Sequence, residues 1–484
     1  MTNRDQLRTI AIRAMRERGL DPDFPPDALA EAQRATQAPQ SSAEPTRDLR
    51  SLLWCSIDND DSKDLDQLSV AVPLDGGAVK ALVAIADVDV LVPKGSAIDR
   101  HAGVNTTSVY TPAIVFPMLP ERFSTDLTSL ADQQERVSLV VEYVVAADGT
   151  VGASDVYGAR VKNWSKLAYN AVGAWLEGNG PLPPAAAAVR GMDDQLRLQD
   201  RIAQALNAER HRHGALDFAS DDVEHVFENG TLQDVKAALP NRAKQLIENL
   251  MIAANGVVAR FLDARGFPSL RRVVRSPERW DRIRGLAAEF GETLPETADS
   301  AALATFLDRR RAAAPDQYAE LSHRVIKMIG SGEYVVDPPG AEPPGHFGLA
   351  VRDYTHTTAP NRRYPDLIMQ RLIKATLAGR PSPYPLDELE RLAAHCTAQE
   401  DAADKVERQV RKSAAAMVVQ RFVGRTFDAH VTGASPKGTF VRVLDPPMDG
   451  MLVRGQRGLD VGDRLRVQLT HVDVDRGYID FEAR

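Results

Sequence analysis

The chain has 484 residues, a formal net charge of −8, 43% hydrophobic residues and 26% charged residues. That length exceeds one ordinary core and suggests about three domains. The composition is that of a folded globular protein and excludes a disordered or fibrous one. The acidic excess argues against a protein that merely coats nucleic acid. It leaves room for an enzyme with a basic channel, because the field in a cleft is set locally.

Cys55 and Cys396, the two cysteines, lack metal-ligand spacing, and a disulfide framework is not needed at this size. A reducing, cytoplasmic setting is expected. The N-terminal stretch through Gly19 is charged every few residues, so no signal peptide is expected. No apolar run reaches the roughly 20 residues that span a bilayer.

In chain order, Leu7, Ile10, Ala14 and Met15 recur at helical spacing and predict a helix over 3–19, stopped at Gly19. DPDFPP turns the chain, and Pro26 opens a second helix that runs to about Arg34. Residues 36–47, rich in Pro, Ser and Gln, read as a linker. The unit 1–47 fits either a helix-turn-helix nucleic-acid binder or a packing element.

Between 48 and about 420 no second linker stands out. Strand-like runs (LSVAVPL, VKALVAIADVDVLV, VSLVVEYVVA) precede helical ones beginning at Arg242, Asp366 and Leu386. Strands first and helices later predict a large α+β catalytic domain over 48–420. Residues 421–484 break into short alternating segments parted by Gly, Pro and Asp. Five short strands predict a small OB-type β-barrel. The expected fold is therefore a multi-domain α+β chain.

The densest chemistry lies in Ser56–Gln67. Asp58, Asp60, Asp61, Asp64 and Asp66 fall within nine residues. Such crowding is repulsive unless cations sit among the carboxylates. Magnesium takes oxygen ligands and, in pairs, promotes phosphodiester cleavage. An acidic surface loop and a calcium loop are the alternatives. The spacing departs from the EF-hand pattern, with no Gly at its sixth position and no Glu at its twelfth.

A second segment runs from His346 through Tyr354-Thr355-His356-Thr357-Thr358-Ala359-Pro360-Asn361-Arg362-Arg363-Tyr364-Pro365-Asp366. Paired arginines beside a helix start are good phosphate ligands. An ordinary arginine pair bound to a carboxylate such as Asp366 is the other reading. His211 and His213 have no evident ligand partner and are expected to be surface histidines. Lys405–Arg425 holds Lys405, Arg408, Arg411, Lys412, Arg421 and Arg425. It suits an RNA path or a solvated helix face.

Together these segments resemble the ribonuclease II / ribonuclease R family. The intervening stretches VAIADVDVLVPKGSAID, TTSVYTPAIVFPMLPERFSTDLTSL, RHGALDF and QLIENLMIAAN are similar to family landmarks, and the resemblance covers roughly 48–484. It implies a magnesium-dependent hydrolytic 3′→5′ exoribonuclease, with manganese able to substitute. Its substrate would be single-stranded RNA, and its products nucleoside 5′-monophosphates and a short end product. The expected state is a monomer.

Residue by residue, the resemblance implies metal binding by Asp58, Asp64 and Asp66, and phosphate contact by Arg362, with Arg363 beside it. Tyr110 would stack on bases near the 3′ end, with Phe218 as a second stacking residue. Glu248 would meet the terminal ribose, and Glu407 lies near a position that modulates RNA release. Phe440, beside Lys437 and Arg442, is the stacking candidate of the barrel.

Gln67 stands where the family has a fourth aspartate and offers one neutral oxygen ligand. Ala359, Asn361 and Gln370 are further departures. Only some 47 residues precede the catalytic domain, and they read helical where relatives carry cold-shock barrels. Two alternatives remain: a catalytically weak or inactive RNA-binding protein on the same fold, or a metal-dependent nuclease of other polarity or substrate.

Overall fold

Strands that are apolar on both faces need helices to cover them, and the middle of this chain is built that way. The computed structural model describes residues 2–38, 46–218, 223–228, 231–237, 241–342, 345–435, 438–444, 447–459 and 462–484. After helices α1 (Asn3–Glu17) and α2 (Pro26–Arg34) come strands β1 (Thr46–Asp48), β2 (Cys55–Asp58), β3 (Gln67–Pro73) and β4 (Val79–Ala86). Helix α3 (Ala97–Asn105) leads into a small hairpin, β5 (Val109–Tyr110) and β6 (Val115–Phe116). Strands β7 (Glu135–Val145), β8 (Val151–Lys162) and β9 (Ser165–Ala168) complete the sheet.

Seven strands pair in the order β1-β8-β7-β4-β3-β2-β9. The β1–β8 and β2–β9 pairs are parallel and the rest antiparallel. The predicted linker over 36–47 thus ends early, because Thr46–Asp48 is an edge strand. All three of its residues are exposed, so it pairs through backbone alone and shows no apolar pattern.

The helical part comprises α4 (Tyr169–Leu176), α5 (Pro184–Ala187), α6 (Met192–Arg212), the hairpin β10 (Val223–Glu228)–β11 (Thr231–Ala237), and α7 (Arg242–Asp263). Leu246, Leu250, Ala254, Val257 and Phe261 recur at helical spacing along α7 and are buried in the main core. The Tyr143 hydroxyl of β7 donates to the Leu250 carbonyl at 2.9 Å, which ties α7 across the sheet.

Next come β12 (Ser269–Val273), α8 (Trp280–Glu289), α9 (Ser300–Ala313), α10 (Pro315–Ile329) and β13 (Glu333–Asp337). The three helices form a small core of their own around Ile283, Leu303, Phe306 and Val325. Helices α11 (Tyr364–Leu377) and α12 (Leu386–Val419) lead to β14 (Thr426–Ser435), β15 (Gly438–Leu444), β16 (Pro447–Arg454), β17 (Arg464–Asp473) and β18 (Tyr478–Ala483). These five strands close into a barrel in the order β14-β15-β16-β18-β17, as the alternation predicts.

Helix α1 buries Leu7, Ile10, Ala14 and Met15 in one cluster with Val406, Val410 and Ala414 of α12 and with the barrel core. Each large apolar side chain so buried contributes about 1.5–3 kcal/mol. Helix α2 sends Ala28 and Ala32 into the main core instead. The two N-terminal helices therefore pack against different neighbours. Among the described residues no helix is long and apolar enough to cross a membrane.

Candidate active site

The acidic segment is the connection between β2 and β3. Strand β2 ends at Asp58 and β3 begins at Gln67. Leu65 anchors the loop, because its side chain is buried in the main core. Its N–H donates to Ser129 Oγ at 3.1 Å, and Ser129 Oγ donates to the Lys63 carbonyl at 2.7 Å. The Leu130 N–H meets the Leu65 carbonyl, and the Ala86 N–H meets the Asp66 carbonyl, each at 2.9 Å. Asp64 and Asp66 are thereby fixed on either side of a buried leucine. Asp60 and Asp61 are exposed at the loop tip.

Asp66 is 2% exposed. Its Oδ1 accepts the Asn361 N–H at 2.9 Å, and its Oδ2 lies 3.3 Å from Arg362 Nε. Burial pushes its carboxyl up to about 7, against the pull of Arg362 and the Asn361 N–H. Burial also raises Asp64, opposed by its own N–H and by Arg362. Asn361 is not a passive departure from the family pattern: its Oδ1 accepts the Thr128 hydroxyl at 2.6 Å while its backbone holds Asp66.

The arginine pair divides in two. Arg363 donates through Nε and Nη2 to both oxygens of buried Asp366, each at 2.8 Å. This bidentate pair fixes the start of α11, and Asp366 Oδ1 also accepts the Ala359 N–H at 2.8 Å. Arg362 is more open, with a side chain 39% exposed. The segment is held from behind by Asn255 of α7, whose Oδ1 accepts both the N–H and the hydroxyl of Thr357.

The β5–β6 hairpin is stitched to the same segment. Ser108 N–H donates to the Arg362 carbonyl at 2.9 Å, and Tyr364 N–H to the Thr106 carbonyl at 2.8 Å. Tyr110 therefore reaches the acidic loop while remaining 42% exposed. Loss of surrounding water raises its phenol to about 12; Arg362 opposes this, and Asp64 and Asp66 add to it. Glu407 of α12 accepts the Tyr110 N–H at 2.8 Å, so it positions the ring.

A cavity of about 460 Å³ opens between the sheet end and α7. Asp58, Gln67, Tyr169, Lys244, Glu248 and Arg362 are among its lining residues. Tyr169 and Lys244 escape sequence reasoning because neither lies in a recognisable motif. Tyr169 opens α4 directly after β9, which pairs with β2, and this register brings it beside Asp58.

Among the described residues no three His, Cys, Asp or Glu side chains are gathered closely enough to hold a metal ion by themselves. Yet Asp66 Oδ2 and Gln67 Oε1 are buried and lack a hydrogen-bond partner. Unsatisfied buried oxygens are rare and ask for a ligand. A carboxylate and an amide oxygen on adjacent residues are hard donors, which suits a divalent cation completed by water or substrate phosphate. Asp66 and Gln67 therefore offer two oxygen donors to such an ion, while Asp58 and Asp64 are not gathered around the same point with Asp66.

Other expected residues lie elsewhere. Phe218 packs half-buried against the α8–α10 core and does not line the cavity. Phe440 is 44% exposed on the barrel. Its neighbour Arg442 is paired bidentately with Asp449, and Lys437 lies outside the described residues. Gln370 is satisfied at both ends, accepting the Asp89 N–H and donating to the Ala86 carbonyl. His213 contacts Glu209 one helical turn back, and His211 the Asn207 carbonyl.

An acidic loop at a sheet end thus lies beside an arginine pair and a cavity, in an α+β domain followed by a closed five-stranded barrel. Residues 46–379 match the RNB domain, and residues 425–484 match the C-terminal S1 domain of RNase II-type exonucleases. The chain is similar to ribonuclease R of Thermotoga maritima, 29% identical over 95% of this chain and 68% of that protein. It is also similar to ribonuclease R of Escherichia coli, 30% identical over 92% of this chain and 58% of that protein. It thus spans little more than half the length of the latter.

The structure of Mycoplasma genitalium RNase R in complex with ribose-methylated single-stranded RNA shares the fold. Its TM-score is 0.89 at 23% identity, covering 99% of this chain and 78% of that one. The chain belongs to the RNB family.

Proposed function

We propose that this chain is a hydrolytic 3′→5′ exoribonuclease that degrades single-stranded RNA to nucleoside 5′-monophosphates and a short end product. Magnesium is its metal, with manganese able to substitute, and the working form is a monomer. The observation that carries this reading is Asp66: a buried carboxylate whose Oδ2 accepts no hydrogen bond and lies 3.3 Å from the Nε of the more open Arg362. When bound, magnesium supplies Lewis acidity toward the phosphate and makes water a better nucleophile at neutral pH.

Arg362 meets the scissile phosphate and stabilises the charge that grows on it. Tyr110 stacks on a base without reading its identity. Glu248, on the cavity wall, accepts from ribose hydroxyls, which separates RNA from DNA. The cavity volume lies within the range of small-ligand pockets and admits one terminal nucleotide. Two free, buried thiols fit a cytoplasmic setting.

The test is a 5′-labelled RNA of ~30 nucleotides, a length suited to multi-site single-strand binding, incubated with magnesium or with EDTA. The expected result is a magnesium-dependent ladder that ends at a short product and is absent with the matching DNA. Gln67 and the loose gathering of the carboxylates favour a second reading, an RNA-binding protein with little turnover. Intact RNA that shifts on a native gel would establish that reading instead.

A further inference from the structure

Three cations line or approach the cavity, and two are already engaged. Arg363 is locked by Asp366, and Arg362 lies against Asp66. Lys244 is the third. It stands in the first turn of α7, whose Asn241 cap accepts the Ala243 and Lys244 N–H groups at 2.9 and 3.2 Å. Its neighbour Arg242 turns away and pairs bidentately with Asp200 at 2.9 and 2.7 Å. Lys244 makes no ion pair among the described residues, not even with Glu248 one turn later. Its Nζ lies over the ring of Tyr169, 5.9 Å from the ring centre. Lys244 is thus an exposed lysine, without an ion pair among the described residues, on a cavity wall it shares with Asp58 and Gln67.

The charge balance gives it a task. Asp58, Asp64 and Asp66 carry three formal negative charges, and Gln67 carries none. One divalent cation together with Arg362 balances those three. Glu248 on the same wall adds a fourth negative charge, so without Lys244 the site stands one negative charge in excess before the phosphodiester arrives.

Resting on the exoribonuclease reading above, we infer that Lys244 binds the backbone phosphate of the 3′-terminal nucleotide, and then the 5′-phosphate of the departing monophosphate. The lysine supplies, from α7, positive charge that a more acidic loop would have drawn from additional metal. Its ammonium is a flexible point charge that suits a phosphate moving from diester to monoester. The helix start behind it adds its own positive potential. Asp58 and Glu248 face the same space, and they repel RNA when no cation is present. In EDTA the contribution of Lys244 should therefore be largest.

The experiment measures binding without turnover. Wild-type protein, Lys244→Met, Lys244→Arg and the remote control Lys327→Met are titrated in EDTA. The ligands are a 5′-labelled single-stranded RNA at several salt concentrations, adenosine 5′-monophosphate and adenosine. Thermal midpoints check that each variant is folded. Lys244→Met should lose about tenfold in affinity for the monophosphate, the size of a charge-assisted contact. Its affinity for adenosine should not change. The slope of log affinity for RNA against log salt should shrink by about 0.7, the value for one phosphate contact on a single strand. Lys244→Arg should keep most of both, and Lys327→Met all of both.

Equal losses for monophosphate and adenosine would mean that Lys244 merely supports Tyr169, and would overturn the inference. So would unchanged affinity and slope in Lys244→Met. A wild-type protein that binds no RNA would overturn the exoribonuclease reading itself, which separates the two failures.

Discussion

Arg362 is the residue whose removal separates chemistry from binding. Its Nε lies 3.3 Å from Asp66 Oδ2; the aspartate side chain is 1% exposed and the arginine side chain 39% exposed. On the proposed reading Arg362→Ala removes a donor to the phosphate, a change that typically lowers kcat by about 10²–10³, or roughly 2.7–4 kcal/mol of barrier. It also removes the nearest positive charge from Asp66. That carboxyl stands at about 7 in the metal-free site, with burial raising it and Arg362 opposing. Without the arginine it rises further.

Proton and metal compete for this carboxylate, so at limiting magnesium the acid limb of the rate profile should move to higher pH. Arg362→Lys restores the charge but not the planar fork, and should fall between the two. The assay is single-turnover cleavage of 5′-labelled RNA from pH 6 to 9 at limiting and saturating magnesium, a range of roughly three units chosen to bracket a group near neutrality. A rate within tenfold of wild type together with an unmoved acid limb would refute the reasoning.

Tyr110→Ala should weaken single-stranded RNA binding in EDTA by about 1–3 kcal/mol, the worth of one base–aromatic stack; an unchanged affinity measured by anisotropy would remove Tyr110 from the RNA path. Gln67→Asp converts an unpartnered buried amide oxygen into a charged ligand, and should lower the magnesium concentration for half-maximal rate several-fold; a higher requirement would place Gln67 outside the metal's reach. In EDTA, Asp66→Asn should raise the thermal midpoint relative to wild type more at pH 8 than at pH 5. The folded-state carboxyl lies above its unfolded value of 3.8, so wild type loses stability as pH rises from about 4 through about 7. Differential scanning fluorimetry checks this, and a difference that is the same at both pH values would contradict the burial argument.

Much of the site was legible because its chemistry is local in sequence. The acidic segment, Arg362 and the barrel each announce themselves through spacing or alternation, and β14–β18 close as that alternation predicts. Spacing alone does not separate Arg362 from Arg363, and only the family resemblance favoured Arg362. The two are adjacent and chemically alike, and only the α11 geometry that places Asp366 one turn on decides which is locked. Lys244 and Tyr169 were invisible for a different reason: each opens an ordinary helix, and only the β2–β9 register and the lie of α7 across the sheet bring them to Asp58. The α8–α10 unit was missed because its core is small, with Leu303, Phe306 and Leu307 the buried residues of α9 amid alanine and arginine. Phe218, a stacking candidate with packing as its alternative, lies half-buried against that unit, which was not foreseen.

The central claim is that RNA is consumed from a free 3′ end at the Asp66 site. The most direct test places a 5′-labelled linear RNA and a circular RNA of the same sequence in one tube with magnesium, with Asp66→Asn as the parallel reaction. The account predicts a ladder from the linear RNA alone, an intact circle, and no ladder with the variant. A cleaved circle, or an undiminished ladder from Asp66→Asn, would contradict it.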